Sequence, residues 1–576
     1  MIRPRALSSL AIAAIVTACS SSSYTAPAPA PTAAPVAPAP AHGTVAAIRP
    51  DDMRTRMEAY ADDSMLGREA GTIGNVKATD YIAAQLRAIG LEPGGDGDSY
   101  FQTVPMVTRT VDPIADLTVG GTPLTLWSDF VPVPPLGGFL PFGSRGPAGA
   151  VKAVYGGALG DPETKLSTAD IAGKLVVLDP PMINGAPSFQ IWAGGDFEAY
   201  AGAAGLAFVT LDISPPGVTG FLRQPQEAIA GDPATGSDAP FGMLITRRTA
   251  QILLGAATTD LKPGATGQTL NGTFRFAERP AEFPARNVIG ILRGSDPNLR
   301  GQYVAIGAHN DHIGLAPRPV DHDSVRAFNR VVRPEGADSP ERQATPQEMA
   351  RIRAMVTQAR TRSIPRRDSI YNGADDDGSG TVTVLEIAEA FAARPDRPKR
   401  SLIFVWHTAE EKGLFGAQYF TDHPTVPRDS LVTQLNLDMV GRGGTGDLEL
   451  GGPGYMQLIG SRRLSTELGD LVERVNTEGR HGFAFDYQYD ADGHPGNFYC
   501  RSDHYMYARY GIPIVFFSTG GHVDYHQLTD EAAYIDYEKL ARVAGLVMDI
   551  ADHVAAMNHR PLVDKPRPDP HGACQQ

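Results

Sequence analysis

Acidic and imidazole side chains recur where strand-like segments of this sequence end. The positions are His309, Asp311, the run Asp375-Asp376-Asp377, Glu410, Glu411, Asp438, Tyr525 and His526. Carboxylates and imidazoles gathered in one crevice can hold a metal ion that activates water for hydrolysis. Without a cation, each uncompensated buried carboxylate would cost several kcal/mol. The pattern therefore predicts a metal site.

The types of ligand narrow the choice of metal. Two imidazoles with carboxylates and no thiolate suit zinc, with cobalt or manganese as weaker alternatives. The carboxylates outnumber the ligands that one tetrahedral ion can use, so two ions sharing a bridging carboxylate are the simplest arrangement. HExxH, GxSxG and P-loop patterns are absent, so the sequence does not support a single-zinc HExxH protease, a serine hydrolase or an NTPase.

Two of the polar residues also have structural interpretations. A lone Asp in front of a helix is commonly an N-cap, and for Asp377 this role has the same weight as a functional one. His407 stands within a strand-like run and is interpreted as a structural residue.

The segments that must position the site alternate between apolar runs and helical patterns. The apolar runs are 303–306, 402–406, 432–437 and 512–517, and the helical patterns are 78–89, 379–393 and 454–475. Runs that are apolar at nearly every position are typical of a largely parallel sheet covered by helices on both faces. Ligands of such sheets bind at the carboxyl ends of the strands, where the acids and imidazoles stand.

Three other stretches differ from these segments in residue composition and hydrophobic pattern. Residues 110–285 combine short β-like runs with Gly/Pro turns and few ligand-type residues, which predicts a separate small β-rich domain without chemistry of its own. Residues 317–370 form an Arg- and Asp-rich insertion that contains the capping box Thr345-Pro346-Gln347-Glu348. A helical lid and a solvated surface insertion are equally good interpretations of it. Residues 559–576 are expected to be a disordered tail.

Composition excludes several classes of protein. The 576 residues are 42% hydrophobic and 20% charged, which is typical of a soluble protein with several folded units. The net charge of −14 disfavours binding to nucleic acid. Three cysteines exclude a disulfide scaffold and a Cys-rich zinc module. Cys500 and Cys574 could pair, but their spacing leaves this open.

The N-terminal residues have the pattern of a targeting segment. Arg3 and Arg5 precede an apolar run, 6–18, that is shorter than the roughly 20 residues of a spanning helix. The run ends in Val16-Thr17-Ala18-Cys19, which resembles the lipobox of bacterial lipoproteins, where the chain is cut before the Cys and the Cys is acylated. The alternative is an ordinary secretory signal. We expect a signal peptide at 1–18, a Pro/Ala-rich tether at 19–44, and a lipid anchor at Cys19 in the bacterial cell envelope, facing the periplasm.

Seven segments, taken in order, resemble the motifs of the dizinc aminopeptidase family, whose relatives include glutamate carboxypeptidase and the transferrin receptor. The segments are 307–312 (GAHNDH), 372–380 (NGADDDGSG), 409–414 (AEEKGL), 435–439 (LNLDM), 502–504 (SDH), 511–513 (GIP) and 525–526 (YH). The resemblance implies an α/β fold, a three-layer αβα sandwich with a mostly parallel mixed sheet. It implies a peptidase domain formed by residues 45–109 and 286–558, interrupted by an insert at 110–285 that resembles a protease-associated domain.

The same resemblance implies roles for individual residues. His309 and Asp438 would bind one Zn²⁺, Glu411 and His526 would bind a second, and Asp376 would bridge them. Glu410 would be the general base, Asp311 would orient His309, and Tyr525 would hydrogen-bond the oxyanion. The implied substrates are peptides with a free N-terminus.

Three alternatives remain open at this point. A glutamate-carboxypeptidase-like dipeptidase would need basic residues for a terminal carboxylate, and Arg442, Arg501 or Arg509 could serve. A receptor on the same fold predicts lost ligands, whereas all the matched ligands are present. A glutaminyl cyclase would bind a single zinc.

Overall fold

The structure is a computed structural model that describes residues 44–576 apart from gaps at 136–141, 144, 184, 192–196, 232–238, 362–364, 449, 571 and 573. The described chain divides into two compact units. The larger unit contains residues 44–105 and 281–576, and the smaller unit contains residues 106–280. The predicted signal peptide, most of the tether and Cys19 lie outside the described residues.

The larger unit begins with two helices and two short strands. These are α1 (Pro50–Tyr60), α2 (Ile73–Ile89), β1 (Glu92–Pro93) and β2 (Phe101–Val104). The predicted helix around 78–89 is α2, and it starts earlier because Thr72 accepts a hydrogen bond from the Gly74 N–H. Gly90 ends α2 in the left-handed conformation with φ 84°, and its N–H donates to the Leu86 carbonyl.

The smaller unit is built on an eight-stranded mixed sheet. The strands of the whole unit are β3 (Met106–Val111), β4 (Thr118–Val119), β5 (Thr122–Pro123), β6 (Phe130–Val133), β7 (Val151–Ala158), β8 (Leu175–Asp179), β9 (Met182–Ile183), β10 (Ala186–Pro187), β11 (Gly205–Phe208), β12 (Gln226–Ile229), β13 (Phe241–Ile245), β14 (Thr266–Asn271) and β15 (Phe276–Pro280). Its helices are α3 (Thr168–Ile171), α4 (Pro216–Arg223) and α5 (Arg247–Leu254). The main sheet has the order β5-β4-β14-β7-β8-β11-β13-β6, and β12-β3-β15 form a three-stranded sheet.

Each face of the eight-stranded sheet carries its own apolar cluster. Among the described residues of this unit, no group of three or more His, Cys, Asp or Glu side chains could hold a metal ion. Its identity as a protease-associated domain stays a prediction.

The rest of the larger unit contains the remaining strands and helices. The strands are β16 (Ala285–Leu292), β17 (Tyr303–His309), β18 (Gly314–Asp321), β19 (Arg367–Tyr371), β20 (Ser401–His407), β21 (Leu431–Leu437), β22 (Tyr455–Ile459), β23 (Ala484–Asp486) and β24 (Ile514–Ser518). The helices are α6 (His322–Val332), α7 (Pro346–Ala359), α8 (Gly380–Ala393), α9 (Phe415–Asp422), α10 (Thr466–Glu478), α11 (His504–Ala508) and α12 (Tyr537–Ala556).

The main sheet of this unit is mixed with a parallel centre. Its order is β1-β16-β20-β17-β21-β24-β22-β23, with β2 paired to β16. The central strands β20, β17, β21 and β24 are mutually parallel, so their carboxyl ends lie along one rim. The edge pairs β16 with β20 and β22 with β24 are antiparallel.

The two faces of the sheet are covered by helices. In β17, Val304, Ile306 and Ala308 join one apolar cluster with residues of α1, α2, α8, α10 and α12. Tyr303 and Ala305, which alternate with them, join a second cluster with residues of α9 and α11. Successive side chains of a strand point to opposite faces, so a strand buried on both faces is apolar at nearly every position. The predicted three-layer αβα architecture is confirmed.

The 317–370 insertion is carried on a two-stranded ribbon. Strands β18 and β19 pair antiparallel, and between them lie α6, a short 3-10 turn at Gly336–Asp338, and α7. The predicted capping box is present: the Thr345 side chain accepts from the Glu348 N–H while the Glu348 side chain accepts from the Thr345 N–H. The insertion contacts the rest of the larger unit, because α6 and the turn form hydrogen bonds with the segment that carries Tyr525 and His526, and whether it acts as a lid stays a prediction.

Two sequence-based expectations differ from the structure. The helical pattern at 454–475 is a strand followed by a helix, because β22 pairs with β24 and the helix begins only at Thr466. The tail after residue 559 is attached to the larger unit and is not a free end. Cys574 forms a disulfide with Cys500, and the Gln576 side chain accepts from the Tyr499 N–H at 2.7 Å.

Candidate metal centre

The structure brings the predicted ligands together at the rim formed by the carboxyl ends of the central strands. His309 is the last residue of β17, and Asp438 directly follows β21. Glu411 follows β20 after a short turn, and Asp376 lies in the turn Ala374–Ser379 that leads into α8. His526 lies in the loop after β24, which completes the set.

The Asp376 carboxylate lies between two imidazoles. Its Oδ1 is 3.1 Å from His309 Nε2, and its Oδ2 is 3.0 Å from His526 Nε2. One carboxylate thus presents one oxygen to each ring. This is the arrangement that a carboxylate bridging two ions requires.

Each imidazole has a second carboxylate beside it. Asp438 Oδ1 is 3.7 Å from His309 Nε2, and Glu411 Oε2 is 3.0 Å from His526 Nε2. The centre therefore contains two sets of one imidazole and one carboxylate, with Asp376 common to both. The pairing of residues is the one that the sequence resemblance implies.

The three consecutive aspartates have different surroundings. Asp375 Oδ1 accepts from the Gly441 N–H at 2.7 Å. Asp377 accepts from the backbone N–H groups of His309 at 3.0 Å and Gly380 at 2.9 Å. Asp377 also lies within ligand distance of His309 and Asp438, but both of its oxygens already serve backbone donors. Asp377 thus accepts from the N–H of the first residue of α8, although the N-cap position of the helix is Ser379.

The donor set fits a pair of metal ions. Asp376 Oδ2 is buried without a hydrogen-bond partner although His526 Nε2 is 3.0 Å away, as expected if both atoms direct lone pairs at a common point. Ligand atoms about 2.0–2.1 Å from a tetrahedral zinc lie roughly 3.3 Å from one another. The separations of 3.0, 3.0, 3.1 and 3.7 Å surround that value. Imidazoles and carboxylates without thiolates are ligands that suit zinc.

The electrostatics of the centre favour positive charge. Burial alone lowers the pKa of His526, but the Glu411 and Asp376 carboxylates raise it to about 10. Burial raises the pKa of Asp376, but the neighbouring imidazoles hold it well below its usual range. The Asp376 carboxylate therefore stays ionised and needs positive charge beside it, which protons on the imidazoles or divalent metal ions can supply.

Glu410 is placed beside the centre by a sharp turn. Ala409 adopts the left-handed conformation with φ 55°, and the Glu410 N–H donates to Asp311 Oδ1 at 3.1 Å. Burial raises the pKa of Glu410 well above its usual value, and the charges of Asp438 and Glu411 raise it further. A carboxyl group with a raised pKa can accept and return a proton near neutral pH.

Asp311 contacts the His309 ring through its backbone carbonyl, whereas the carboxylate was expected to do so. His309 Nδ1 is 3.1 Å from the Asp311 backbone carbonyl and 3.7 Å from its carboxylate Oδ1. The hydrogen bond that fixes the His309 ring is therefore to the carbonyl. The carboxylate instead holds the backbone of Glu410. The predicted orienting residue is in place, but its carboxylate connects the ligand strand to the predicted base.

His312 is a further site residue that had no assigned role in the sequence analysis. Its Nδ1 is 2.7 Å from Glu411 Oε1 and 3.9 Å from Asp376 Oδ2, and its Nε2 is buried without a partner. The sequence signal was the second imidazole of the His309-Asn310-Asp311-His312 segment. His407, interpreted as structural, is fully buried with its Nε2 2.9 Å from the Tyr507 hydroxyl.

Tyr525 lies beside His526, one of the predicted ligands. Its ring centroid is 4.1 Å from that of His526, and His526 has the most exposed side chain of the five predicted ligands, at 26%. The Tyr525 hydroxyl accepts from Arg501 Nη2 at 3.2 Å. Burial raises the pKa of Tyr525 well above its usual value, so the side chain is a neutral phenol that can donate a hydrogen bond.

These features together define a candidate metal centre, with ligands that suit zinc, at the carboxyl ends of a parallel sheet. Residues 287–551 match the profile of peptidase family M28.

Two curated relatives illustrate the similarity in sequence. Leucine aminopeptidase 1 of Paracoccidioides brasiliensis (strain Pb03) is 31% identical over 193 residues, which cover 31% of this chain and 47% of the relative. Leupeptin-inactivating enzyme 1 of Streptomyces exfoliatus is 29% identical over 150 residues, covering 26% of this chain and 30% of the relative. The chain thus spans less than half the length of these curated relatives.

Two solved structures are similar over most of the chain. An aminopeptidase from Aneurinibacillus sp. strain AM-1 is 16% identical with a TM-score of 0.43, and the alignment covers 90% of this chain and 97% of that structure. A zinc aminopeptidase from Bacillus subtilis is 16% identical with a TM-score of 0.41, covering 87% and 94%.

The arrangement predicts unequal effects of substituting neighbouring aspartates. Asp376→Asn leaves one oxygen and no charge between the imidazoles. Removing a hydrogen-bond partner of a metal ligand costs about 10–100-fold in metal affinity, so removing the ligand itself should weaken zinc binding by more than about 100-fold. Zinc per chain, measured by elemental analysis after dialysis at fixed free zinc, checks this. Asp375→Asn is the matched control, because its amide oxygen can still accept from Gly441, and it should retain zinc. Equal loss in both variants would contradict the special position of Asp376.

Proposed function

We propose that this protein is a zinc-dependent aminopeptidase that binds two zinc ions and removes N-terminal residues from peptides with a free amine. The observation that carries the proposal is the Asp376 carboxylate shared between His309 and His526, with Glu410 beside it. The match of residues 287–551 to the profile of peptidase family M28 supports the reaction class. The similarity to a leucine aminopeptidase supports the choice of exopeptidase.

Different residues of the chain have different proposed roles in peptide hydrolysis. His309, Asp438, Asp376, Glu411 and His526 would hold the ions, which when bound lower the pKa of a coordinated water and polarise a carbonyl oxygen. Glu410 takes the proton of the attacking water and returns it to the leaving amine. The Tyr525 hydroxyl donates a hydrogen bond to the oxygen that gains negative charge during the attack.

The carboxypeptidase alternative has less support because its candidate arginines already have partners. Arg442 donates to Asp447 at 2.7 Å and to Asp524 at 3.1 Å. Arg501 donates to Asp338 at 3.0 and 3.1 Å, and Arg509 pairs with Asp422. A guanidinium that is already paired with a carboxylate is poorly placed to recognise a substrate carboxylate as well.

A panel of blocked and free substrates tests the proposal. Aminoacyl amides with a free α-amine should be hydrolysed, and the same compounds with an N-acetyl group should not. C-terminally free, N-acetylated dipeptides are the comparison, because a carboxypeptidase prefers them. Zinc content should be about two per chain in the active protein. Hydrolysis restricted to the N-acetylated dipeptides, or full activity with one zinc, would refute the proposal.

Glu410 and Glu411 are adjacent residues with different proposed roles, which gives a matched pair of variants. Glu410→Gln keeps the shape of the side chain but cannot accept a proton, so turnover should fall by about 10²–10⁴-fold while zinc stays bound. Glu411→Gln removes a charged ligand, so the protein should lose zinc and partly recover activity in excess zinc. The measurements are zinc per chain and kcat for both variants. If Glu410→Gln were the zinc-depleted variant, the roles of base and ligand would be interchanged.

We also propose that Cys19 carries the lipid anchor of a bacterial cell-envelope protein. In the described part of the chain, none of the helices has the length and apolar character needed to cross a bilayer. The support is the lipobox-like Val16-Thr17-Ala18-Cys19 and the Pro/Ala-rich stretch after it.

Replacing Cys19 tests this proposal without touching the metal centre. Cys19→Ala should move the protein from the membrane fraction to the soluble fraction while its peptidase activity per zinc stays unchanged. Fractionation followed by immunoblotting measures this. Cys19→Ala protein that still partitioned with membranes would rule out the anchor.

A further inference from the structure

The 317–370 insertion contacts the segment 522–531, which carries Tyr525 and His526. From α6, Arg326 donates to both carboxylate oxygens of Asp524 at 3.2 Å. Asn329, also from α6, donates to Gln527 Oε1 at 3.1 Å. These contacts lie on either side of Tyr525 and His526. The insertion therefore supports the loop that contributes a predicted ligand and the predicted oxyanion donor.

The short turn after α6 approaches the backbone of the same loop. The Ala337 N–H donates to the Tyr525 carbonyl at 3.0 Å. Gly336 has φ 55°, and a Cβ atom there would lie 2.4 Å from the Tyr525 carbonyl oxygen. Only glycine fits this position without displacing the loop. The turn Gly336–Asp338 and the backbone of Tyr525 thus fix each other.

Asp338, at the end of this turn, reaches Tyr525 through one arginine. Its Oδ2 and Oδ1 accept from Arg501 Nη1 at 3.0 Å and Nη2 at 3.1 Å. The same Nη2 donates to the Tyr525 hydroxyl at 3.2 Å. The two hydrogens of Nη2 therefore have one acceptor each, and a bidentate carboxylate fixes the plane of the guanidinium.

The direction of these hydrogen bonds determines where the Tyr525 proton can go. A guanidinium has donors and no acceptor, so the Tyr525 oxygen must be the acceptor in its bond with Arg501. The hydroxyl proton is then left for another acceptor. The Tyr525 ring lies against the ring of His526, so the side chain is next to a predicted metal ligand.

The ion pair between Asp338 and Arg501 contributes little to the stability of the fold. The two side chains are 39% and 36% exposed, and pairs this exposed contribute little to the free energy of folding. Its geometric effect on the Tyr525 hydroxyl is therefore the more important consequence.

We propose that Asp338 is a positioning residue for peptide hydrolysis: it holds Arg501 against the lone pairs of the Tyr525 hydroxyl, so that the hydroxyl proton points to the carbonyl oxygen of the substrate. This inference rests on the proposed aminopeptidase function. It assigns to the insertion a part in the chemistry that the matched motifs do not include.

A double-mutant cycle between Asp338 and Tyr525 tests the proposal. Asp338→Asn should lower kcat for leucine p-nitroanilide by about ten-fold, the loss expected from weakening one charge-assisted hydrogen bond, with KM and zinc content unchanged. Tyr525→Phe should lower kcat by about 10²-fold or more, as removal of an oxyanion donor does. In the Tyr525→Phe background, Asp338→Asn should have no further effect, because its route of action is gone.

Two further variants separate positioning from a general effect on folding. Asp338→Glu restores a carboxylate and should recover most of the lost kcat. Glu348→Gln is the matched control, because it weakens another bidentate Arg–carboxylate pair of the insertion, with Arg342, away from residues 522–531. It should leave kcat unchanged.

The outcomes distinguish this inference from the proposed function. A wild-type protein that holds zinc but hydrolyses no free-amine substrate would overturn both. An active wild type with an Asp338→Asn variant of equal kcat would overturn the inference alone. Equal losses from Asp338→Asn in the wild-type and Tyr525→Phe backgrounds would also overturn it, since Asp338 would then act independently of the hydroxyl.

Discussion

The Asp376 carboxylate faces an imidazole with each of its two oxygens, and this shared position constrains the surrounding backbone. The turn that carries Asp376 is held from two distant parts of the chain. Arg68, buried after α1, donates to the carbonyls of Asn372 and Gly373. The Asp530 carboxylate accepts from the backbone N–H groups of Asp375 and Asp376 at 3.0–3.1 Å. Such support keeps a carboxylate in position where its neighbours are also acidic.

The concentration of acidic groups explains why so many backbone donors surround the centre. Asp375, Asp377 and Asp311 each accept from at least one backbone N–H. A carboxylate satisfied in this way can stay buried, whereas one without donors requires a cation. Asp376 differs from its neighbours because both of its oxygens face imidazoles, whereas Asp375 has one oxygen on a backbone N–H and the other 3.1 Å from His522 Nε2. The division between structural and ligand-type aspartates thus follows from where the backbone N–H groups point.

The segment 522–531 meets a different requirement, since it contributes His526 from a loop beyond the strand end. A loop is less rigid than a strand, and a ligand on it needs outside contacts to keep its geometry. Here α6 and the following turn supply them through Asp524, Tyr525 and Gln527. The insertion accordingly has a structural relation to the centre even though it contributes none of the five predicted ligands.

Local patterns in the sequence determined the central strands and the covered faces of the sheet, and they placed acids and imidazoles at the strand ends, whereas the set of five ligands was implied only by the family resemblance. This was possible because alternation and apolar runs are local, and because parallel strands bring their carboxyl ends to one rim whatever the details of packing. The motif with three aspartates also indicated Asp376, although only by resemblance. The backbone N–H groups of Gly441 and His309 bind Asp375 and Asp377 but not Asp376, and they come from parts of the chain far away in the sequence.

Tertiary structure alone decided the features that depend on distant partners. Residues 455–459 form a strand because β24 lies beside them, although their local pattern also suits a helix. The tail is fixed by the disulfide between Cys500 and Cys574, and cysteine spacing cannot show such a pairing. His312 and the Asp338–Arg501–Tyr525 contacts join residues that local periodicity does not relate. Their geometry follows from how the elements pack, which a local pattern does not encode.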